Sequence, residues 1–203
     1  MPLIDMHAHW GEWPFGCKPQ TVERLCAMLD RYDISAMLFS SSKAIQYDME
    51  EGNRELFAFL EADSRLYGYV TVNPNFLEQS LEEIRRYSCH PRFKGIKYHP
   101  CYANLTIDSP EMDPIYAVAQ EMQLPVLVHA MGNTTCSPLR MIPVNHRYPA
   151  LRLIGAHTGG SFPDLACQAA RETNENVYFD LSCGYIGRGR VEKIVHAAGA
   201  DRV

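Results

Sequence analysis

Long apolar runs are missing from this 203-residue sequence. Nothing in it approaches the roughly 20 consecutive apolar residues that span a bilayer, so no membrane-spanning helix is expected within it. The opening Met1-Pro2-Leu3-Ile4-Asp5 also lacks the basic region and apolar core of a secretory signal. A basic surplus is missing too. Nineteen Lys and Arg stand against 24 Asp and Glu, a formal net charge of −5. That balance argues against a nucleic-acid backbone as partner, while leaving room for a local basic pocket. Paired cysteine motifs are absent. The seven cysteines (Cys17, Cys26, Cys89, Cys101, Cys136, Cys167 and Cys183) are odd in number, and no two form Cys-x-x-Cys. A secreted disulfide framework or a thiolate zinc site is therefore not expected, and a reducing cytoplasm fits best. The Gly-rich dinucleotide fingerprint is missing after the first apolar run, where His7-Ala8-His9-Trp10-Gly11 stands instead.

What is present is an alternation of short apolar runs with longer amphipathic stretches. Strands are expected at Leu3–His9, Ala36–Ser41, Leu66–Val72, Gly95–His99, Val126–His129, Leu153–His157 and Val177–Leu181. Helices are expected at Thr21–Tyr32, Glu51–Asp63, Leu77–Tyr87, Glu111–Met122, Pro138–Tyr148, Pro163–Thr173 and Arg190–Ala198. Runs such as Val126-Leu127-Val128 are apolar throughout, as in parallel strands buried on both faces. The rhythm matches seven βα units, with no linker or low-complexity segment between them. An open doubly wound sheet and a closed barrel both fit, and the missing fingerprint favours the barrel. We expect a single α/β domain over residues 1–203, a TIM (β/α)8-type barrel with seven βα units. Asp201-Arg202-Val203 looks like the start of an eighth strand, so strand eight is expected to be truncated. Exposed strand edges would favour association into a homo-oligomer.

Histidines fall where barrel enzymes place their sites. His7 and His9 stand two apart on an expected strand, so both side chains take the same face. Two convergent neutral imidazoles make half a site for zinc or a similar divalent ion. His99, His129 and His157 end three further strands, so five of the eight histidines lie at C-terminal strand ends. In a barrel those ends form one rim. Lys97 and His99 share strand parity and are expected to face the interior.

The segments Ile4-Asp5-Met6-His7-Ala8-His9, Gly95-Ile96-Lys97-Tyr98-His99-Pro100, Val126-Leu127-Val128-His129 and Ala156-His157-Thr158-Gly159-Gly160, in that order, resemble the amidohydrolase superfamily. The likeness is to the amidohydrolase 2 branch, which includes aminocarboxymuconate-semialdehyde decarboxylase and related aromatic-acid decarboxylases and hydrolases. The resemblance covers essentially the whole chain. It implies one divalent metal per chain, expected to be zinc, with His7, His9 and His129 as ligands. It also implies His157 as the catalytic residue that handles the metal-activated water or the substrate. The implied activity is hydrolysis of a small cyclic or aromatic carboxylate, amide or lactone. Decarboxylation on the same scaffold is the alternative, and a truncated barrel without catalysis is a second one. Family members carry an aspartate at the end of strand eight, which is not found in this sequence. A piece of a longer protein is the preferred explanation, ahead of completion by another chain or loss of catalysis. A second metal bridged by a carboxylated Lys97, as in binuclear relatives, is the less favoured form of the site.

Four residues are candidates for substrate contact: Lys97, His99, Trp10 and Arg188. Trp13 and Phe15 share the loop after strand one and could cover an aromatic substrate, or simply pack there. Arg140 could clamp a carboxylate, or pair within the protein. Asp180 is a candidate for orienting a histidine from behind, and Ser182 lies close to it in sequence. Cys101, Cys136 and Cys183 follow strand ends without an adjacent base to activate a thiol.

Overall fold

The computed structural model describes residues 2–15, 21–182 and 187–203. Cys17 and Cys183 fall outside them. Seven strands are found among the described residues: β1 Leu3–Trp10, β2 Ile34–Ser41, β3 Leu66–Val72, β4 Phe93–Tyr98, β5 Val126–His129, β6 Leu153–Ala156 and β7 Val177–Phe179. The helices are α1 Val22–Arg31, α2 Ser42–Gln46, α3 Met49–Phe59, α4 Leu77–Tyr87, α5 Pro100–Ala103, α6 Asp113–Glu121, α7 Met141–Arg147, α8 Pro163–Glu172 and α9 Arg190–Ala198. The chain divides into two compact units, Met1–Lys97 and Tyr98–Val203. No helix among the described residues is long and apolar enough to cross a membrane.

In the first unit the strand order is β1-β2-β3-β4, and β1 to β2 and β2 to β3 pair in parallel. Local chemistry sets the helix starts. The Thr21 side chain accepts from Arg24 N ahead of α1, and the Asp48 side chain accepts from Glu51 N ahead of α3. Leu25 and Leu29, one turn apart on α1, are buried. Short α2 was not anticipated. It docks on α3 at Gly52, where a Cβ would lie 2.2 Å from Ala44 N, so only glycine permits that approach. Strand β1 is irregular. Its pairing with β2 slips between Asp5 and Ala8, and His7 N donates to Asp5 Oδ1 at 3.0 Å. The buried Tyr69 hydroxyl donates to Met6 O at 2.9 Å, supplying a partner for a carbonyl in the slipped stretch.

Asn53 ties three elements of this unit together. Its Nδ2 donates to Thr71 O on β3 and to Glu83 Oε2 on α4, each at 3.0 Å. Its Oδ1 accepts from Thr71 N at 2.9 Å. The side chain is fully buried. Asn53→Leu would strand a backbone N–H, a carbonyl and a carboxylate oxygen away from water. We expect it to cost about 2–4 kcal/mol of stability, measured by urea denaturation.

A second contact sets a pH response. Arg65 clamps Asp63 through Nε to Oδ1 at 2.9 Å and Nη2 to Oδ2 at 2.7 Å, and reaches Asp30 at 2.7 Å. The guanidinium holds the Asp63 carboxyl well below the usual carboxylate range, against an opposing push from burial. The folded state therefore releases this proton more readily than the unfolded chain does. The resulting stabilisation is complete above about pH 4 and is lost as the pH falls through the acid range. Stability of Asp63→Asn is expected to fall less steeply below pH 4 than that of the parent, in urea titrations across the acid range.

In the second unit β5, β6 and β7 are neighbours in that order and pair in parallel. Pro163 opens α8 at a position where its missing N–H costs nothing. Val126, Leu127, Val128, Leu153, Val177 and Phe179 from the strands meet Met141, Val144, Ala166 and Ile194 from the helices in a buried core. Strand β6 ends at Ala156, one residue before the expected His157. His157 and Thr158 instead turn with φ 66° and 46°, a left-handed stretch uncommon outside glycine. Gly159 and Gly160 continue it at φ 77° and 58°. Ala200–Arg202 form a 3-10 turn where the start of a strand was expected. Arg202 explains the difference: its guanidinium donates to Ala170 O at 2.6 Å and Asn174 O at 2.8 Å, satisfying carbonyls at the end of α8 and just beyond.

Candidate metal centre

The first unit brings His7, His9 and Lys97 together. The His7 and His9 rings lie 5.1 Å apart between centroids, both half-buried. Lys97 is fully buried, and its ammonium sits 3.0 Å from His7 Nε2. An ammonium can only donate, so the His7 lone pair is on Nε2 and its proton on Nδ1. A metal ion taking that lone pair would have to displace the Lys97 ammonium. His9 Nδ1 lies 3.0 Å from Ser40 Oγ. Ser40 Oγ also donates to Ala8 O at 3.4 Å. Its oxygen then accepts from His9 Nδ1, and the His9 lone pair falls on Nε2 as well. Trp13 meets His9 edge-on at 5.0 Å and stacks against Phe15 at 5.2 Å. Trp10 is stacked flat on Phe59 at 3.6 Å.

The second unit gathers His99, His129 and His157. His129 stacks on His99 at 4.1 Å, and His129 Nδ1 lies 3.1 Å from His157 Nε2. His157 is fixed from behind. Its Nδ1 lies 3.0 Å from Ser182 O and 3.1 Å from Ser182 Oγ, and its backbone N donates to Asp180 Oδ1 at 2.9 Å. Asp180 Oδ1 also accepts from Ser182 N at 2.9 Å and Ser182 Oγ at 2.5 Å. Thr158 Oγ1 donates to Asp180 O. Asp180 thus holds the turn at His157 and orders Ser182. A carbonyl only accepts, so His157 carries a proton on Nδ1. With the ring neutral, its Nε2 accepts from His129 Nδ1, and the His129 lone pair falls on Nε2. With Lys97 charged and His157 neutral, these contacts place the lone pair on Nε2 of all three expected ligands. In His129 and His9 the other ring nitrogen is engaged as metal-binding imidazoles require. The donor set suits a borderline divalent ion.

The two candidate arginines stand in different surroundings. Arg140 pairs with Asp108 at 2.9 Å and donates to Thr134 O at 2.8 Å, so its guanidinium is committed within the unit. Arg188 is exposed ahead of α9. One feature had no signal in the sequence: Cys101 and Cys136, 35 residues apart, form a disulfide. Their ligand atoms and one from His129 lie within 4.8 Å of one another.

Solved structures with the same fold cover nearly the whole chain. A dihydroxybenzoic acid decarboxylase from Polaromonas sp. JS666, with bound manganese and the inhibitor 2-nitroresorcinol, matches at TM-score 0.77 and 15% identity over 99% of this chain and 84% of that one. A 5-carboxyvanillate decarboxylase from Novosphingobium aromaticivorans DSM 12444, complexed with manganese and 4-hydroxy-3-methoxy-5-nitrobenzoic acid, matches at TM-score 0.72 and 18% identity over 100% and 84%. A TIM-barrel protein from Bordetella bronchiseptica matches at TM-score 0.72 and 13% identity over 90% and 75%. The fold is accordingly of the TIM-barrel type, with seven strands among the described residues. No curated protein sequence matches the chain. The amidohydrolase family profile matches residues 4–203. With that match running over almost its whole length, the chain belongs to the amidohydrolase family of enzymes.

Proposed function

We propose that the protein removes carbon dioxide from a small aromatic carboxylic acid, using one divalent ion held by His7, His9 and His129. The observation that carries metal-assisted proton transfer, the common core of this reading and the next, is the fixed His129–His157 pair. It sets a proton carrier 3.1 Å from an expected ligand. The ion, when bound, supplies a Lewis acid that polarises substrate oxygen and acidifies water. The protein's own residues do the rest. His157, pinned by Ser182 and Asp180, delivers or collects a proton at Nε2 when its hydrogen bond from His129 Nδ1 opens. Loss of carbon dioxide from a ring needs a proton at the carbon left behind, and a positioned imidazole is suited to that. Lys97 supplies a buried positive charge, and His99 a ring edge, to orient the carboxylate. Trp13 offers an apolar wall beside His9.

Hydrolysis of a cyclic amide or lactone is the second reading. The same metal and proton carrier serve it, and the family's name favours it. Two similar structures are decarboxylases that contain manganese, which favours decarboxylation and manganese here. Imidazole donors favour zinc. Incubation with carboxyl-13C-labelled hydroxybenzoic acids should release labelled carbon dioxide only when metal is supplied. Ring-opened acid or free amine from cyclic substrates, without carbon dioxide, would establish the hydrolytic reading instead.

A further inference from the structure

Cys136 lies in the loop after β5 and is buried, 2% exposed, whereas Cys101 lies in α5 after β4 and is exposed. Their Cα atoms are 6.6 Å apart, inside the usual range for a disulfide. The bond joins the segment that follows His99 to the segment that follows His129. Thr135 Oγ1 lies 3.7 Å from Cys101 Sγ and 3.8 Å from Cys136 Sγ, and Thr135 O accepts from Ile107 N at 3.3 Å.

We propose that Cys101 and Cys136 form a reversible thiol–disulfide switch that sets the rigidity of the two segments carrying His99 and His129. The asymmetry in exposure assigns the roles. The Cys101 thiolate attacks a small-molecule disulfide such as oxidised glutathione and expels one glutathione thiolate. The Cys136 thiolate then attacks the Cys101 sulfur of that mixed disulfide and expels the second. Two protein thiols are oxidised, one glutathione disulfide is reduced, and the two protons pass to the departing thiolates. Reduced glutathione reverses both steps through the exposed Cys101 sulfur. A fixed His129 would bind metal more tightly than a mobile one. That consequence alone rests on His129 being a ligand.

The test equilibrates the full chain in glutathione buffers of graded ratio. Peptide mapping without reductant should show the Cys101–Cys136 link appearing and disappearing with the buffer. Hydrogen exchange over residues 100–109 and 130–137 should be about tenfold slower in the oxidised form. The difference should vanish in Cys101→Ser and in Cys136→Ser. Manganese titration should give tighter binding to the oxidised form. A link that never forms, or equal exchange in both forms, would overturn the switch. A sulfur-to-cobalt charge-transfer band on adding Co²⁺ to the reduced protein would overturn it too, by making these sulfurs metal ligands. Slower exchange without manganese binding in either form would keep the switch and defeat the metal reading.

Discussion

Replacing His7 and His9 together by alanine is expected to abolish binding of a divalent ion. The two imidazoles stand on one strand with ring centroids 5.1 Å apart, and both lone pairs are assigned to Nε2. Loss of a partner behind a ligand typically costs about 10–100-fold in affinity. Loss of two ligands from a set of three exceeds that and should leave no saturable binding in a manganese titration. Both residues are half-buried rather than core, so the variant should remain folded by circular dichroism. A folded variant with unchanged metal content would reject these two residues as ligands.

His157→Asn is expected to cut turnover by about 10²–10⁴-fold while leaving one ion bound. The change removes the nitrogen that reaches His129 but can keep a polar group near Ser182. Metal affinity should weaken by about 10–100-fold, the usual cost of losing a partner behind a ligand, because His157 Nε2 meets His129 Nδ1. Loss of the ion instead would make His157 a ligand and leave the proton carrier unassigned. Metal content and turnover on the same preparation separate the two outcomes.

Much of this was legible in the residues. Val126–His129 and Leu66–Val72 stand where their apolar runs placed them, because a strand buried on both faces has no polar position to mistake. Helices α4 and α9 match their expected bounds, since each carries a clear amphipathic stripe. Short α2 and α5 were missed, as five and four residues are too few to show a helical period. The grouping of His7 with His9 followed from strand alternation. The partners of these histidines did not. Lys97 on His7, Ser40 on His9 and Ser182 on His157 are contacts 90, 31 and 25 residues apart, set by strand register rather than by local pattern. The left-handed turn at His157 was hidden for the same reason: its hold comes from Asp180 on the next strand's end. The Cys101–Cys136 bond carries no spacing signal at all, because it depends on two loops meeting.

Native mass spectrometry of the chain, loaded with manganese and freed of excess, tests the central claim most directly. The account predicts the mass of the chain plus one divalent ion, with Lys97 unmodified. Two ions together with the mass of a carboxylated lysine would contradict it, and so would a chain that retains none.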